Sequence, residues 1–290
     1  MLRTESGVLP AGHPYARVGD GRRALVVLPG FEDSMFPGVY PSVAGWALAP
    51  YFARYLDEYA VYQVSRPRGL PAGYDAADAA EGHARSLEAI ADSHERVDVV
   101  GISMGGLIGQ ALARRHPEVV DRLVLANSGC RLAESAHGRA REFERDAREH
   151  DWASIRSKLA ADMYSDGRAV AYPPTIRTIG RFLLPRPAEP ADVWRSLEFV
   201  LGFDSGGGLA DLEQPTLVFG GERDPYFTPE ILRETVDRLP RGDLELRPGA
   251  KHGAFHERKP AFDSRVRAFL DGTPAAGERG DPVLEADSGR

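Results

Sequence analysis

The stretch Val97 to Gly106, V-D-V-V-G-I-S-M-G-G, restricts what this chain can fold into more than any other. Its apolar run has the composition of a buried strand, and Leu107 to Arg115 behind it reads as a helix. Ser103 stands at the junction, with Gly101 before it and Gly105 and Gly106 after it. A strand that gives way to a helix over so few residues must turn sharply. Small neighbours let the two elements pack closely, and a serine at the apex takes an unfavourable backbone angle that pushes its hydroxyl clear of the sheet. Such a serine is a candidate nucleophile.

The rest of the chain alternates strand and helix signals. His13 to Val18 and Ala24 to Leu28 read as strands, and Gly19-Asp20-Gly21 between them is a sequence of the type that closes hairpins. The unbroken apolar run of the second predicts a strand covered on both faces, as parallel sheets are. After a Gly- and Pro-rich loop to about Ser42, a helix is expected over Val43 to Asp57, a strand over Tyr59 to Val64 and a helix over Ala76 to Ser93. Another strand is expected over Arg122 to Ala126, past a helix stop at Pro117. That order predicts an α/β fold: a mostly parallel sheet, right-handed crossovers, helices on both faces.

From Arg131 to Ser205 no strand-type run occurs, and the helix-favouring stretches Ala133 to His150, Trp152 to Tyr164 and Trp194 to Phe203 predict a helical insertion, with Tyr172-Pro173-Pro174 among them. Alternation resumes with a strand at Thr216 to Phe219, a helix at Pro229 to Leu239, a strand at Leu244 to Arg247 and a helix at Pro260 to Leu270. The expected organisation is a core of residues 1–130 and 206–272, an insertion of residues 131–205, and a tail of residues 273–290, whose lack of apolar content predicts disorder.

A formal charge of −7 and the lack of a basic cluster disfavour nucleic acid as a partner and leave small molecules. No apolar stretch approaches the roughly 20 residues that span a bilayer, so no membrane association is expected; the first residues lack a basic-then-apolar leader, and the expected location is the cytoplasm. The single cysteine, Cys130, reads as a buried filler. No G-x-G-x-x-G, H-E-x-x-H or Cys/His cluster signals a cofactor or metal, and none is expected. Arg66 and Arg68, in R-P-R-G-L-P, read as solvated loop charges that could meet an acidic substrate. The composition leaves the oligomeric state open.

A serine hydroxyl attacks a carbonyl only with a histidine as base and, usually, a carboxylate to orient that histidine. In a parallel sheet these come from loops at the C-terminal ends of the strands. Two loops qualify: G-G-E-R-D-P after Thr216 to Phe219 and P-G-A-K-H-G after Leu244 to Arg247. They offer Asp224, with Glu222 as the fallback acid, and His252, with His256 as its competitor; the remaining histidines read as surface or structural.

With G-I-S-M-G-G, G-E-R-D-P and A-K-H-G in that order, the chain resembles an α/β-hydrolase from about Arg22 to Leu270. The resemblance implies Ser103 as nucleophile, Asp224 as acid and His252 as general base. It also implies an oxyanion hole from the backbone N–H groups of Phe31 and Met104, and a cap domain formed by the insertion. Many relatives start the oxyanion loop with His-Gly; here Pro29 replaces the histidine, and a backbone donor can survive that change. The implied activity is cleavage of a small to medium carboxylic ester through an acyl-enzyme. Lactones, thioesters and C–C bonds beside carbonyls are handled by the same machinery, and a catalytically weak binding protein on this fold is the alternative from another class. Relatives that open epoxides or remove halogens use aspartate where Ser103 stands. Trp152, Tyr164, Tyr172, Phe182, Trp194, Phe199 and Phe203 could line an acyl pocket or simply bind the insertion to the sheet.

Overall fold

The computed structural model describes residues 2–272; Met1 and the tail predicted to be disordered lie outside the described residues. Eight strands form one sheet: β1 (Thr4–Leu9), β2 (His13–Val18), β3 (Arg23–Leu28), β4 (Tyr59–Val64), β5 (Val97–Ile102), β6 (Arg122–Ala126), β7 (Thr216–Gly221) and β8 (Gly242–Arg247). Their spatial order is β1-β2-β4-β3-β5-β6-β7-β8. β1 and β2 pair antiparallel, β2 is antiparallel to β4, and every later pair is parallel.

The expected hairpin of β2 with β3 does not form. β4 lies between them, and Val61 pairs with Val18 on one side and Leu25 on the other. The glycine turn instead wraps closely past the start of β4: a Cβ at Gly21 would stand 2.2 Å from the Glu58 carbonyl oxygen. β1, T-E-S-G-V-L, was not anticipated, because an edge strand with alternating half-exposed residues carries little apolar signal.

The apolar run of β3 divides as its two-sided burial requires. Ala24, Val26 and Leu28 face a core built with α2 (Ala76–Ala91) and α3 (Met104–Arg115), while Leu25 and Val27 face Phe52 of α1 (Ala44–Phe52) on the opposite side. Asp75 opens α2 with a capping box, its carboxylate accepting from the Ala77 and Asp78 amides. Cys130 is buried, as expected.

All five helices of the insertion fall between β6 and β7: α4 (His137–Arg148), α5 (Trp152–Met163), α6 (Arg168–Thr175), α7 (Arg181–Leu183) and α8 (Pro190–Gly202). Pro173 and Pro174 sit inside α6, just ahead of a π-helical turn over Ile176–Gly180. The chain then returns through α9 (Pro229–Arg238), α10 (Ala254–Glu257) and α11 (Lys259–Leu270). Phe262, Val266 and Phe269 of α11 join the core on the α1 side.

Candidate active site

Ser103 occupies the N-cap of α3 with φ 51° and ψ −118°, a left-handed conformation rare for a residue with a side chain. The turn closes because glycines flank it. A Cβ at Gly101 would lie 2.5 Å from the Gly105 carbonyl oxygen, and one at Gly105 would lie 2.0 Å from that of Leu28. The strained residue is tied to the sheet by its own amide, which donates to Ala126 O of β6 at 2.9 Å.

The loops after β7 and β8 deliver the two partners that the spacing predicts. His252 Nδ1 lies 2.9 and 3.1 Å from the two carboxylate oxygens of Asp224, and its Nε2 lies 3.0 Å from Ser103 Oγ. With the Nδ1–H donating to the acid, Nε2 is left to accept the serine proton. Asp224 is enclosed: its Oδ1 accepts from the Tyr226 and Phe227 amides, and its Oδ2 accepts from Asn127 Nδ2 at 2.9 Å. The Tyr226 ring meets the His252 imidazole edge-on at 4.7 Å. The alternatives lie elsewhere. Glu222 accepts from the Gly249 amide on an exposed loop, and His256 stacks on Tyr51.

Two parts of this arrangement escaped the sequence reading. Asn127 stands one residue past β6 with φ 49°, and its side-chain oxygen also accepts from the Phe255 amide. Its position just past a strand end, at the sheet edge that carries the other three residues, was the available signal. The second part is α5 of the insertion, which ties down the histidine loop. Gly253 N donates to Met163 O at 2.8 Å, Lys251 Nζ to Ala161 O at 2.9 Å, and Tyr226 Oη to Asp162 Oδ2 at 2.7 Å.

Phe31 begins a 3-10 helix (Phe31–Met35) and Met104 begins α3, so both amides belong to first turns with no intrahelical acceptor. Their loops meet at Ser103: a Cβ on Gly30 would lie 3.3 Å from the Ser103 Cβ.

Arg66 and Arg68 are not solvated. Arg66 is 1% exposed, and its guanidinium donates to the carbonyls of Pro29 and Gly30, both at 3.2 Å, and of Phe31 at 3.4 Å. Burial lowers its pKa, while the Asp33 carboxylate pulls the other way. Asp33 in turn accepts from Ser65 Oγ, the Arg66 amide and Arg68 Nη1. Burying a guanidinium is costly unless its donors are used, and here they brace the loop in which Pro29 replaces the histidine of many relatives.

A cavity of about 430 Å³ opens over Ser103 and His252. Phe31, Tyr51, Phe52, Phe255, Leu159 and Met163 make its walls predominantly apolar. None of the seven insertion aromatics considered as acyl-pocket candidates lines it; the insertion contributes Leu159 and Met163 of α5 instead. Phe199 of α8 packs against Tyr74 and Phe203 with ring centroids 5.8 and 5.7 Å apart, the packing role. The cavity also holds a carboxyl, Glu32, next to Phe31; surrounding protein raises its pKa, and Arg156 of α5 opposes that shift.

Sequence comparison agrees with this architecture. A family model described as the alpha/beta hydrolase fold matches residues 28–259, so the chain belongs to the α/β-hydrolase fold family. It is a hydrolase of that family. Over 212 residues it is 28% identical to a pimeloyl-[acyl-carrier protein] methyl ester esterase of Neisseria meningitidis serogroup B, covering 69% of this chain and 76% of that one. Among solved structures, it resembles an esterase from Exiguobacterium antarcticum with a TM-score of 0.73 at 17% identity, covering 91% of this chain and 99% of that one. An enol-lactonase from Burkholderia xenovorans gives 0.69 at 21% identity, covering 92% and 100%. At such identities the two structures speak for the fold alone. Among the described residues, no helix is long and apolar enough to cross a membrane.

Proposed function

We propose that the chain is a serine hydrolase of small to medium carboxylic esters, with the insertion as its cap. The observation that carries the reading is the unbroken hydrogen-bonded series Asp224, His252, Ser103 beneath an apolar cavity. His252 takes the hydroxyl proton as Ser103 Oγ bonds to the carbonyl carbon. The tetrahedral oxyanion is held by the Phe31 and Met104 amides. Collapse expels the alkoxide, which receives the proton from His252, and the acyl-enzyme is then opened by a water that the same imidazole deprotonates. Asp224 holds the productive tautomer throughout. Lactones and thioesters present the same carbonyl to the same groups, and the methyl ester esterase relative is compatible with that chemistry.

The test is treatment with a fluorophosphonate probe followed by peptide mapping, alongside turnover of p-nitrophenyl acetate to hexanoate. One adduct on Ser103, formed in step with loss of turnover, is expected. Turnover that survives complete labelling of Ser103 would refute the mechanism.

Glu32 adds a selectivity. A carboxyl in a predominantly apolar cavity favours substrates with an ammonium or hydrogen-bond donor and repels carboxylates. Among p-nitrophenyl esters of 6-(trimethylammonio)hexanoate, hexanoate and adipate, the cationic ester is expected to have the highest kcat/KM. Glu32→Gln is expected to cut the cationic-to-anionic ratio about 10-fold, the effect of a partly solvated unit charge. An unchanged ratio would remove Glu32 from specificity while leaving the serine mechanism intact.

A further inference from the structure

The exterior of the insertion differs from the rest of the molecule. From Arg168 through Leu183 no residue of α6, the π-turn or α7 is buried. Val170 and Phe182 are each 78% exposed, Leu183 76% and Ile179 59%. Isolated exposed apolar residues are ordinary, but several large ones along one short stretch mark a contact surface. The charge of the stretch is also anomalous. Arg168, Arg177, Arg181 and Arg186 fall between Asp166 and Glu189 with no acidic residue among them, in a chain whose net charge is −7. Arg168 is paired with Asp166, whereas Arg177, Arg181 and Arg186 line a cavity of about 560 Å³ together with Phe182 and Leu184. Glu149 and Asp151 also line that cavity, Asp151 committed to capping α5 through the Ser154 amide.

We propose that the Arg168 to Arg186 segment docks the protein on an anionic phospholipid surface. Arginine heads reach phosphates while Ile179, Phe182 and Leu183 enter the boundary between headgroups and acyl chains, a layer that is anionic outside and apolar beneath. An acidic protein would satisfy the guanidinium groups and leave those apolar side chains against charge. Among the described residues no helix is long and apolar enough to cross a membrane, but a segment lying in the interface needs no such helix. The cavity between Arg177, Arg181 and Arg186 is the seat for one lipid phosphate, and docking would hold the insertion's exterior, rather than the sheet, against the bilayer.

The full chain is sedimented with vesicles of phosphatidylcholine alone and of equal parts phosphatidylcholine and phosphatidylglycerol. Binding is expected to the second only, and to weaken as salt is raised. The double variant Arg177→Glu, Arg181→Glu is expected to bind at least about 10-fold more weakly. Phe182→Ser with Leu183→Ser is expected to lose binding even at low salt. Both pairs lie on the exterior, so circular dichroism and turnover of p-nitrophenyl butyrate without vesicles should match wild type. The proposal is overturned if anionic vesicles fail to bind the wild type, if both variants bind as it does, or if sedimentation equilibrium shows a dimer that Phe182→Ser dissociates, which would make the surface a contact between copies of this chain.

Discussion

Ser103→Ala is expected to lower ester turnover by about 10⁴-fold or more while leaving the fold and the cavity in place. The substitution removes one oxygen, which lies 3.0 Å from His252 Nε2. The backbone stays at φ 51°, a conformation set by the close glycine contacts of the elbow and no worse for alanine than for serine. Loss of the single hydrogen bond to His252 costs about 1 kcal/mol, so the melting temperature should move by only a few degrees. Competitive inhibition by short uncharged amides should persist, because the apolar walls and the Phe31 and Met104 amides are untouched. His252→Ala should cost about as much, and the double variant scarcely more, since the two groups act as one unit. Retention of more than a tenth of wild-type turnover by Ser103→Ala, in protein free of wild-type contamination, would transfer the chemistry to another group.

Ser103 and Asp224 are legible in the chain because each follows an apolar run that reads as a buried strand, whereas His252 follows the alternating, half-buried β8 and is legible through the order of the three motifs. The sheet's parallel order then carries all three to one edge. Local signals at the elbow reinforce this, since a Cβ at Gly101 or Gly105 would clash with a backbone carbonyl and only glycine lets the turn close. Strand order is a different kind of information. Nothing in Gly19-Asp20-Gly21 says that Tyr59–Val64 will enter between the strands it joins; that placement is nonlocal, set by the pairing of β4 along the edges of both β2 and β3. The cavity walls are hidden from the sequence for a related reason. Aromatic density in the insertion suggests a pocket, but Phe199 and Phe203 are consumed in packing, and the walls come from α1, α5 and the segment around Phe255. Arg66 is a polar residue whose role depends on what folds against it, and its neighbours in sequence give no hint of it; for Asn127 the one signal is its place just past the end of β6.

Arg66→Met carries the second large effect, expected as a fall in kcat of about 10–10²-fold with a much smaller change in KM. The guanidinium touches neither Ser103 nor the cavity; it holds the Pro29, Gly30 and Phe31 carbonyls that orient the loop bearing the Phe31 amide. A donor displaced by a fraction of an ångström binds the ground-state carbonyl nearly as well but loses the developing oxyanion, which is why kcat should suffer first. Stability will also fall, by about 2–4 kcal/mol, because three carbonyls lose a partner and Asp33 loses an ion pair at 3.6 Å. Asp33 keeps Ser65, Arg68 and the residue 66 amide, so the variant should still fold. Arg66→Lys separates the two effects. Its ammonium restores charge opposite Asp33 but cannot span the loop carbonyls as a planar fork does, so stability should recover more than kcat. Rates are taken well below each melting temperature and divided by the Ser103 sites that a fluorophosphonate titrates. If turnover per titrated site in Arg66→Met equals that of wild type, Arg66 stabilises the loop without positioning the donor.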